Sequence, residues 1–311
     1  MHLVANGIRS STKSTYSSAQ KLYLEFCELY QLQPFVATEE NILCYIAYMS
    51  LKKLSHSTML VYLSAIRSLH VMLGFTVPET GAPRIKLALK AVLESGNAPS
   101  QKQPITYSIL SNMFRIIPDT FDGYMYKSCL SLGFFAALRS QEYVAADDPA
   151  QTPPLTISSV TFFKQNDVQC MTVTIPKSKT TVHGFVVSLG CSSTQICAVC
   201  TLKSYLKLRY SCTYCDISQP LFVHSDSTIL KKSVFNNYIK KLASQLGLNS
   251  SEFSAHSLRS GATTSAAIAG FQDWELGTLG NWKSDTYKRY IRNIQTHTLQ
   301  FAQRIAKHHL G

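Results

Sequence analysis

The sequence predicts a mostly α-helical protein of two domains, with one small antiparallel β-sheet in the second domain. In the first ~75 residues, apolar side chains recur every three or four positions, the period of a helix that buries one face. Residues 94–104 are dominated by Gly, Pro, Ser and other polar residues, the composition of an exposed linker. Beyond this linker, apolar and polar residues alternate in three short segments, 156–163, 170–176 and 184–189, as they do in β-strands.

The first domain, residues 1–97, is predicted to be a four-helix bundle. Its helices cover about 16–30, 38–49, 55–74 and 84–93. Pro34 stops the first helix, Ser55 or Ser57 opens the third, and Gly74 lies at the end of the third. The bundle is therefore defined both by its apolar stripes and by the residues that begin and end them.

The second domain, residues 98–311, is predicted to be an α+β domain. Its helical segments are 106–117, 123–144, 199–210, 231–247, 256–269, 272–279 and 284–307. The three alternating segments lie between these helices and predict a short antiparallel sheet.

The charge balance favours a polyanionic partner, and nucleic acid first of all. The chain carries 30 Lys and Arg against 18 Asp and Glu, a formal net charge of +12, without a dense basic tract. Positive charge spread over a folded surface is what wrapping a duplex needs. Charge alone would also suit an anionic membrane surface or simple solubility. No apolar run approaches the ~18 residues that span a bilayer. The N-terminus lacks the regions of a signal peptide, so we expect no membrane partner and an intracellular protein, nuclear in a eukaryotic host and otherwise cytoplasmic.

Five of the nine cysteines are crowded into residues 191–215. Two pairs, Cys197-x-x-Cys200 and Cys212-x-x-Cys215, have the spacing of zinc knuckles. The segment 201–210 between them predicts a helix, however, and ten helical residues span roughly 15 Å. One tetrahedral ion would not bridge that separation. We therefore interpret these cysteines, Cys191 among them, as small buried thiols beside a helix.

Three segments of the second domain carry polar residues suited to phosphate chemistry, although each also has an ordinary structural interpretation. Arg139 ends a strongly apolar helix, where it needs an anionic partner, and a structural pair with Glu142 would satisfy it equally well. His256 and Arg259 are three residues apart and share a helix face, yet His256 could be a capping or core histidine. Residues 279–292 place two tyrosines among basic residues, which is also the pattern of a basic amphipathic helix.

Taken together, these segments resemble the phage-integrase, or tyrosine recombinase, family. The resemblance rests on four motifs in a fixed order: Ala137-Leu138-Arg139-x-x-Glu142, His256-x-x-Arg259, Leu279-Gly280-x-Trp282-x-Ser284 and Tyr290-Ile291-Arg292. Residues 102–106 resemble the start of that family's catalytic domain, and the N-terminal bundle resembles its core-binding domain, so the resemblance covers nearly the whole chain. Residues 134–140 and 282–285 look most similar to recombinases of eukaryotic mobile elements, of the DIRS or Crypton type.

The resemblance implies a catalytic role for each residue that matches a motif. The implied set is Arg139, Lys179, His256, Arg259, Trp282 and Tyr290. The two arginines would hold the scissile phosphate, His256 would assist proton transfer, and Trp282 would donate from its indole N–H. Glu142 would support Arg139 and not react itself.

Two assignments have rivals, and one position departs from the family pattern. Tyr290 would be the nucleophile, but the interval from Trp282 is one residue shorter than in most bacterial members, which leaves Tyr287 as a rival. Lys179 would lie on a β-hairpin and protonate the leaving group, with Lys177 as its competitor. Where the family usually has a glycine before Leu138, this chain has Ala137.

The resemblance implies an enzyme that cuts and rejoins DNA through a 3′-phosphotyrosyl intermediate. That link retains the bond energy, so rejoining needs no nucleotide cofactor. The sequence offers no carboxylate cluster for a two-metal nuclease and no Gly-rich Lys-Ser/Thr loop for an ATPase, which agrees with metal-free chemistry. Family members assemble as tetramers on double-stranded DNA, and residues 291–311 could dock on a neighbouring subunit or on their own domain. Two alternatives stay open: a type IB topoisomerase that relaxes DNA as a monomer, and a DNA-binding descendant that no longer cuts.

Overall fold

The structure is a computed structural model that describes residues 10–95, 102–148, 153–176, 184–212, 216–282 and 284–291. The chain divides into two compact units, residues 1–100 and residues 101–311. Each unit buries its own apolar core. Within the described ranges, no helix combines the length and the apolar character that crossing a membrane requires.

Four helices are described in the first unit: α1 (Ser10–Leu29), α2 (Glu39–Leu51), α3 (His56–Leu73) and α4 (Pro83–Ser95). The predicted four-helix arrangement is confirmed. The hydroxyls of Thr38 and Ser55 each accept a hydrogen bond, at 3.2 Å, from the backbone amide three residues further on, so Ser55 and not Ser57 caps α3. Gly74 ends α3 with φ 77°, a left-handed conformation that glycine adopts without strain.

The second unit is built around one largely buried helix, on which two others pack. Its described helices are α5 (Tyr107–Ile116), α6 (Phe121–Phe135), α7 (Ser140–Tyr143), α8 (Ala198–Cys212), α9 (Lys232–Gln245), α10 (His256–Ile268) and α11 (Asp273–Leu279). Helix α6 contacts both α8 and α10, and most of its residues are buried. A helix that is apolar on every side has to be covered on every side. This packing positions the first turn of α10 against the end of α6.

The sheet of the second unit is antiparallel, in the order β1 (Val160–Gln165), β2 (Val168–Ile175), β3 (Phe185–Gly190). Val173 on the central strand pairs with Val160 on one side and with Val187 on the other. The buried residues of β2 alternate with more exposed ones, so one face of the sheet packs on the core. The predicted sheet is confirmed, with β1 beginning later than expected because residues 157–159 form a 3₁₀ turn.

The predicted continuous helix over residues 123–144 is wrong, and the difference matters for the site. The chain leaves the helix after Phe135, Ala137 has φ 44° in the left-handed region, and Arg139 is extended. The apolar pattern runs on through this turn because residues 136–138 are all buried, so periodicity could not mark the break. Arg139 therefore follows a tight turn and does not end a helix.

The last predicted helix, residues 284–307, is described only as far as residue 291. Residues Asp285–Tyr290 form a 3₁₀ helix, and Ile291 is extended and ends it. The hydroxyl of Thr264, on α10, donates a hydrogen bond to the Tyr290 carbonyl at 2.9 Å. That carbonyl is thus satisfied by a tertiary contact. Residues 292–307 lie outside the described residues.

Candidate active site

Arg259, in the first turn of α10, lies at the centre of the candidate site. Its side chain is fully buried, with 0 % exposed. Nη1 donates a hydrogen bond to the carbonyl of Ala137, and Nη2 donates one to the carbonyl of Gly280 at 3.0 Å. One guanidinium therefore joins α10, the turn before Arg139 and the turn after α11. A buried arginine without such partners would strongly destabilise the fold.

The electrostatics of Arg259 show that a second cation is near. Burial, and then the positive charge of Arg139, lower the pKa of Arg259 to about 10, against the opposing effects of Glu142 and Tyr290. The guanidinium stays protonated at neutral pH because this value is still well above neutrality. Two arginines that repel each other across one space are suited to share an anion there.

Glu142 holds Arg139 by its main chain and its side chain at once. The Glu142 carboxylate, 6 % exposed by residue, accepts a hydrogen bond from the Arg139 backbone N–H at 2.7 Å and from Arg139 Nη1 at 3.0 Å. The Arg139 side chain remains partly exposed. The structural pair that the sequence suggested is therefore present, and it also orients a guanidinium that solvent can reach.

Ala137 shapes the turn that brings these groups together. Its φ of 44° lies in a region that costs an L-residue about 1–2 kcal/mol, which explains why a glycine is the easier residue at this position. The carbonyl of Ala137 is one of the two acceptors for Arg259. The strained turn thus connects the two arginines of the site.

Trp282 stacks on Arg259, with Cζ of the arginine 3.9 Å from the centroid of the indole ring. A β-carbon on Gly280 would come within 2.2 Å of this ring, so the Gly280-x-Trp282 spacing allows the indole to fold back over the guanidinium. Indole Nε1 of Trp282 is buried and has no hydrogen-bond partner among the described residues. Such a donor is rare in a native interior and indicates that a ligand can satisfy it.

His256 contacts the tyrosine of the same site. Its ring centroid lies 5.2 Å from that of Tyr290, in an edge-on arrangement. Desolvation, followed by the positive charges of Arg259, Arg139 and Lys232, lowers the pKa of His256 below its ordinary value of 6.5. The imidazole is therefore neutral at neutral pH and can accept a proton.

The two candidate tyrosines have different surroundings. Tyr290 is half-buried, with its ring centroid 5.7 Å from that of Trp282 and 5.9 Å from Cζ of Arg259. Tyr287 is 4 % exposed, and desolvation and the negative charge of Asp273 raise the pKa of its hydroxyl. A nucleophilic phenol needs cations nearby, which favours Tyr290 on electrostatic grounds.

The structure brings together five of the six residues that the resemblance implied. These are Arg139, His256, Arg259, Trp282 and Tyr290. Lys179 and its competitor Lys177 lie outside the described residues, in the segment between β2 and β3.

Sequence reasoning missed Thr264, which ties the main chain of Tyr290 to α10. The sequence did contain a signal, because Thr264 lies eight residues after His256 and therefore on the same broad face of the helix.

Comparison with known proteins gives fold matches only. No model of a protein family matches the sequence, and no curated protein matches it. A Tn1549 transposon integrase in complex with transposon right end DNA matches with a TM-score of 0.59 and 14% identity over 97% of this chain and 98% of that chain. A XerH site-specific recombinase bound to palindromic difH substrate matches with a TM-score of 0.57 and 16% identity over 84% of this chain and 72% of that chain. A lambda integrase dimer bound to a core site matches with a TM-score of 0.54 and 13% identity over 93% of this chain and 73% of that chain.

These matches show that the chain has the fold of the tyrosine recombinases and integrases. The shared features are a mostly helical architecture and a small three-stranded antiparallel sheet. A fold at such low identity does not carry its function with it, so the function has to be argued from the side chains of the site.

Proposed function

We propose that the protein is a site-specific DNA recombinase, or integrase, that cuts and rejoins DNA through a 3′-phosphotyrosyl intermediate. One observation carries this proposal: the Tyr290 ring lies against His256, Trp282 and the buried Arg259, although separate chain segments supply these residues. The fold shared with DNA-bound integrases and recombinases supports the same conclusion.

The arginines are proposed to hold the scissile phosphate. An arginine has five N–H donors, and the carbonyls of Ala137 and Gly280 engage two of those on Arg259. Nε of Arg259 has no hydrogen-bond partner among the described residues, so donors remain for phosphate oxygens. The Tyr290 and Trp282 rings lie over this guanidinium, so we expect the Tyr290 side chain to shift when a phosphate enters. Preorganised donors of this kind contribute about 3–4 kcal/mol each to a transition state.

In the proposed reaction, the phenol oxygen of Tyr290 attacks phosphorus. His256 accepts the phenol proton, which an ordinary phenol, with a pKa of about 10, does not release at neutral pH unaided. A bond forms between the Tyr290 oxygen and phosphorus, and the bond between phosphorus and the 5′ oxygen breaks. The 5′ oxygen leaves with a proton, for which Lys179 is the proposed donor and Lys177 its alternative. Attack by a 5′ hydroxyl of another strand reverses these steps and regenerates Tyr290, with no nucleotide consumed.

Trapping of the covalent intermediate tests this proposal. Duplexes selected from a random pool for binding to the wild type are labelled and nicked, so that the cleaved 5′ fragment diffuses away. The wild type is expected to give a protein–DNA band on a denaturing gel. Tyr290→Phe is expected to lose that band and keep duplex binding, because only the attacking oxygen is removed. Tyr287→Phe is the matched control and is expected to keep the band.

The same experiment separates the competing functions. A band that persists in Tyr290→Phe and disappears in Tyr287→Phe would assign the nucleophile to Tyr287. Relaxation of a supercoiled plasmid that lacks the selected site would favour a type IB topoisomerase. Binding by the wild type without any covalent band would favour a DNA-binding descendant that has lost catalysis.

The helical N-terminal unit is proposed to bind DNA as a core-binding domain, with the domain boundary at residues 97–98. The net charge of +12 and the match to a DNA-bound integrase over 97% of the chain support this assignment. Binding that weakens steeply with salt would test it, since each neutralised phosphate contributes about −0.9 to the slope of log K against log salt. The motifs further support an origin in a eukaryotic mobile element of the DIRS or Crypton type, and hence a nuclear location.

Assembly as a tetramer on DNA is a further part of the proposal. Near the candidate site, the end of α10 and the start of α11 expose three large apolar side chains: Ile268, Phe271 and Trp274, the last at 72 %. Exposed apolar side chains of this size are typical of contact surfaces. Either residues 292–311 of the same chain or a neighbouring subunit could cover them. Light scattering with and without the selected DNA distinguishes these cases by mass.

A further inference from the structure

Three cysteines converge between the end of β3 and the start of α8. Sγ of Cys191 lies 3.3 Å from Sγ of Cys200 and 3.6 Å from Sγ of Cys197, and the three sulfurs all lie within 4.8 Å of one another. Cys197 is buried, whereas Cys191 and Cys200 keep exposed surface. None of the three belongs to the proposed recombination chemistry.

We propose that Cys191, Cys197 and Cys200 bind one zinc ion as three thiolates, with the fourth position left to water or an added ligand. A tetrahedral zinc ion with Zn–S bonds of about 2.3 Å spaces its sulfurs about 3.8 Å apart. The observed separations are close to that spacing, and they are well beyond the roughly 2.05 Å of a disulfide. The three side chains therefore stand nearly at the corners that zinc requires.

The surroundings of Cys197 stabilise a thiolate. Its sulfur accepts a hydrogen bond from the Ser192 backbone N–H at 3.4 Å and a second from the backbone N–H of Cys200. Cys197 immediately precedes α8, where the unpaired N–H groups of the helix favour negative charge.

The short distances between the three sulfurs favour a bound cation. Three thiols this close cannot all ionise without a positive charge among them. A divalent ion supplies that charge, and binding then releases the thiol protons.

This grouping differs from the one that the spacing of the cysteines suggested. Helix α8 runs unbroken from Ala198 to Cys212, so Cys200 and Cys212 are about 18 Å apart along it. A single ion therefore does not bind Cys200 and Cys212 together. The interpretation as small buried thiols is replaced for this group, because the loop after β3 returns Cys191 to the Cys197-x-x-Cys200 pair.

The proposed ion has a structural role. Cys191 directly follows β3, and Cys197 directly precedes α8, so the ion would join the sheet to the central helices of the second unit. It would also fix the end of β3, the strand that follows the segment containing Lys179. The entropic cost of closing the short loop 191–197 is small, which favours a metal ion bound at its two ends.

Metal content of the full-length protein tests the proposal. The wild type, purified with a reductant and without chelator, is expected to retain about one zinc per chain after dialysis. Substitution by Co²⁺ is expected to give a thiolate-to-metal charge-transfer band of three-sulfur coordination. Cys191→Ser and Cys200→Ser should each weaken zinc binding by more than the about 10–100-fold that loss of an outer-shell partner costs. Cys170→Ser, on the adjacent strand β2, and Cys44→Ser, in the first unit, are the matched controls and should bind as the wild type.

A second measurement does not depend on how the variants fold. Alkylation of the native wild type, mapped by mass spectrometry, is expected to spare Cys191 and Cys200 when Zn²⁺ is present and to label both after chelation, with Cys44 labelled in both cases. The proposal is overturned if the wild type binds neither Zn²⁺ nor Co²⁺, or if Cys170→Ser weakens binding equally. Retention of zinc by the Cys191→Ser/Cys200→Ser double variant also overturns it. The proposal is likewise overturned if replacing only Cys212 and Cys215 abolishes zinc binding, or if the native protein has a disulfide among the three cysteines.

Discussion

Replacing Arg259 by lysine keeps a positive charge and removes the planar fork that holds the site together. Arg259 donates to the carbonyls of Ala137 and Gly280 and stacks on Trp282 at 3.9 Å. A lysine ammonium on a flexible stem would reach one of these carbonyls, so one charge-assisted hydrogen bond worth about 1.5–3 kcal/mol is lost. Loss of the stacking adds about 0.5–2 kcal/mol. We expect the free energy of unfolding of the second unit to fall by about 3 kcal/mol, which for a unit of this size lowers Tm by about 6–12 °C.

Calorimetry and covalent trapping together test this expectation. The matched control is Arg209→Lys, because Arg209 is also buried, at 2 % exposed, and Nη1 donates to the Leu221 carbonyl at 2.7 Å outside the candidate site. Arg209→Lys should lower Tm comparably and keep the covalent DNA complex per folded molecule. Arg259→Lys should lose both stability and the complex. An Arg259→Lys variant with the wild-type Tm and the wild-type rate of complex formation would show that the site does not depend on the planar guanidinium.

Three further predictions follow from single positions. Covalent-complex formation should decline as pH falls through the pKa of His256, which lies below 6.5, because only the neutral imidazole accepts a proton. The free energy of unfolding should decrease over the same pH range. The reason is that the pKa of His256 is lower in the folded than in the unfolded state, so its contribution to stability is lost on acidification. A pH-independent rate in that range, or an unchanged profile in His256→Gln, would exclude this role. Ala137→Val places a branched side chain at a fully buried position with φ 44°, and urea denaturation should show that the free energy of unfolding falls by about 2–3 kcal/mol. Ala137→Gly should stay within about 1 kcal/mol of the wild type. Equal stability of the two variants would contradict the strain at this turn. Gly261→Ala would bring a β-carbon within 1.7 Å of the Ile105 carbonyl oxygen and should lower Tm markedly. Gly277→Ala, whose β-carbon would have no atom within 4 Å, should leave Tm unchanged or slightly raised. A Gly261→Ala variant as stable as Gly277→Ala would show that the backbone around Gly261 adjusts without cost.

Local chemistry made the elements of this fold predictable. The cap at Ser55 and the helix end at Gly74 depend on residues within a single turn, so the sequence around them is sufficient to locate them. The alternating burial of β2 likewise follows from a period of two that any reader of the sequence can count. The ordered motifs of the second unit also identified the polar residues that the structure brings together.

Features that depend on distant partners could not be read in this way. The break after Phe135 lies inside an unbroken apolar pattern, and it becomes intelligible only because the Ala137 carbonyl binds Arg259, far along the chain. The lowered pKa of His256 depends on cations from several different segments. Cys191 was separated in sequence from its partners and was assigned to no site until the loop after β3 placed its sulfur beside theirs.

Propensity, periodicity and side-chain chemistry are local properties, so the sequence alone predicts most of the helices, the antiparallel sheet and the set of residues able to perform phosphate chemistry. Which of these residues meet depends on the folded chain: Tyr290, and not Tyr287, lies beside His256, and Cys191 lies beside Cys200. Such contacts are set by packing and hydrogen bonding between segments remote in the chain, and no short stretch of residues contains that information.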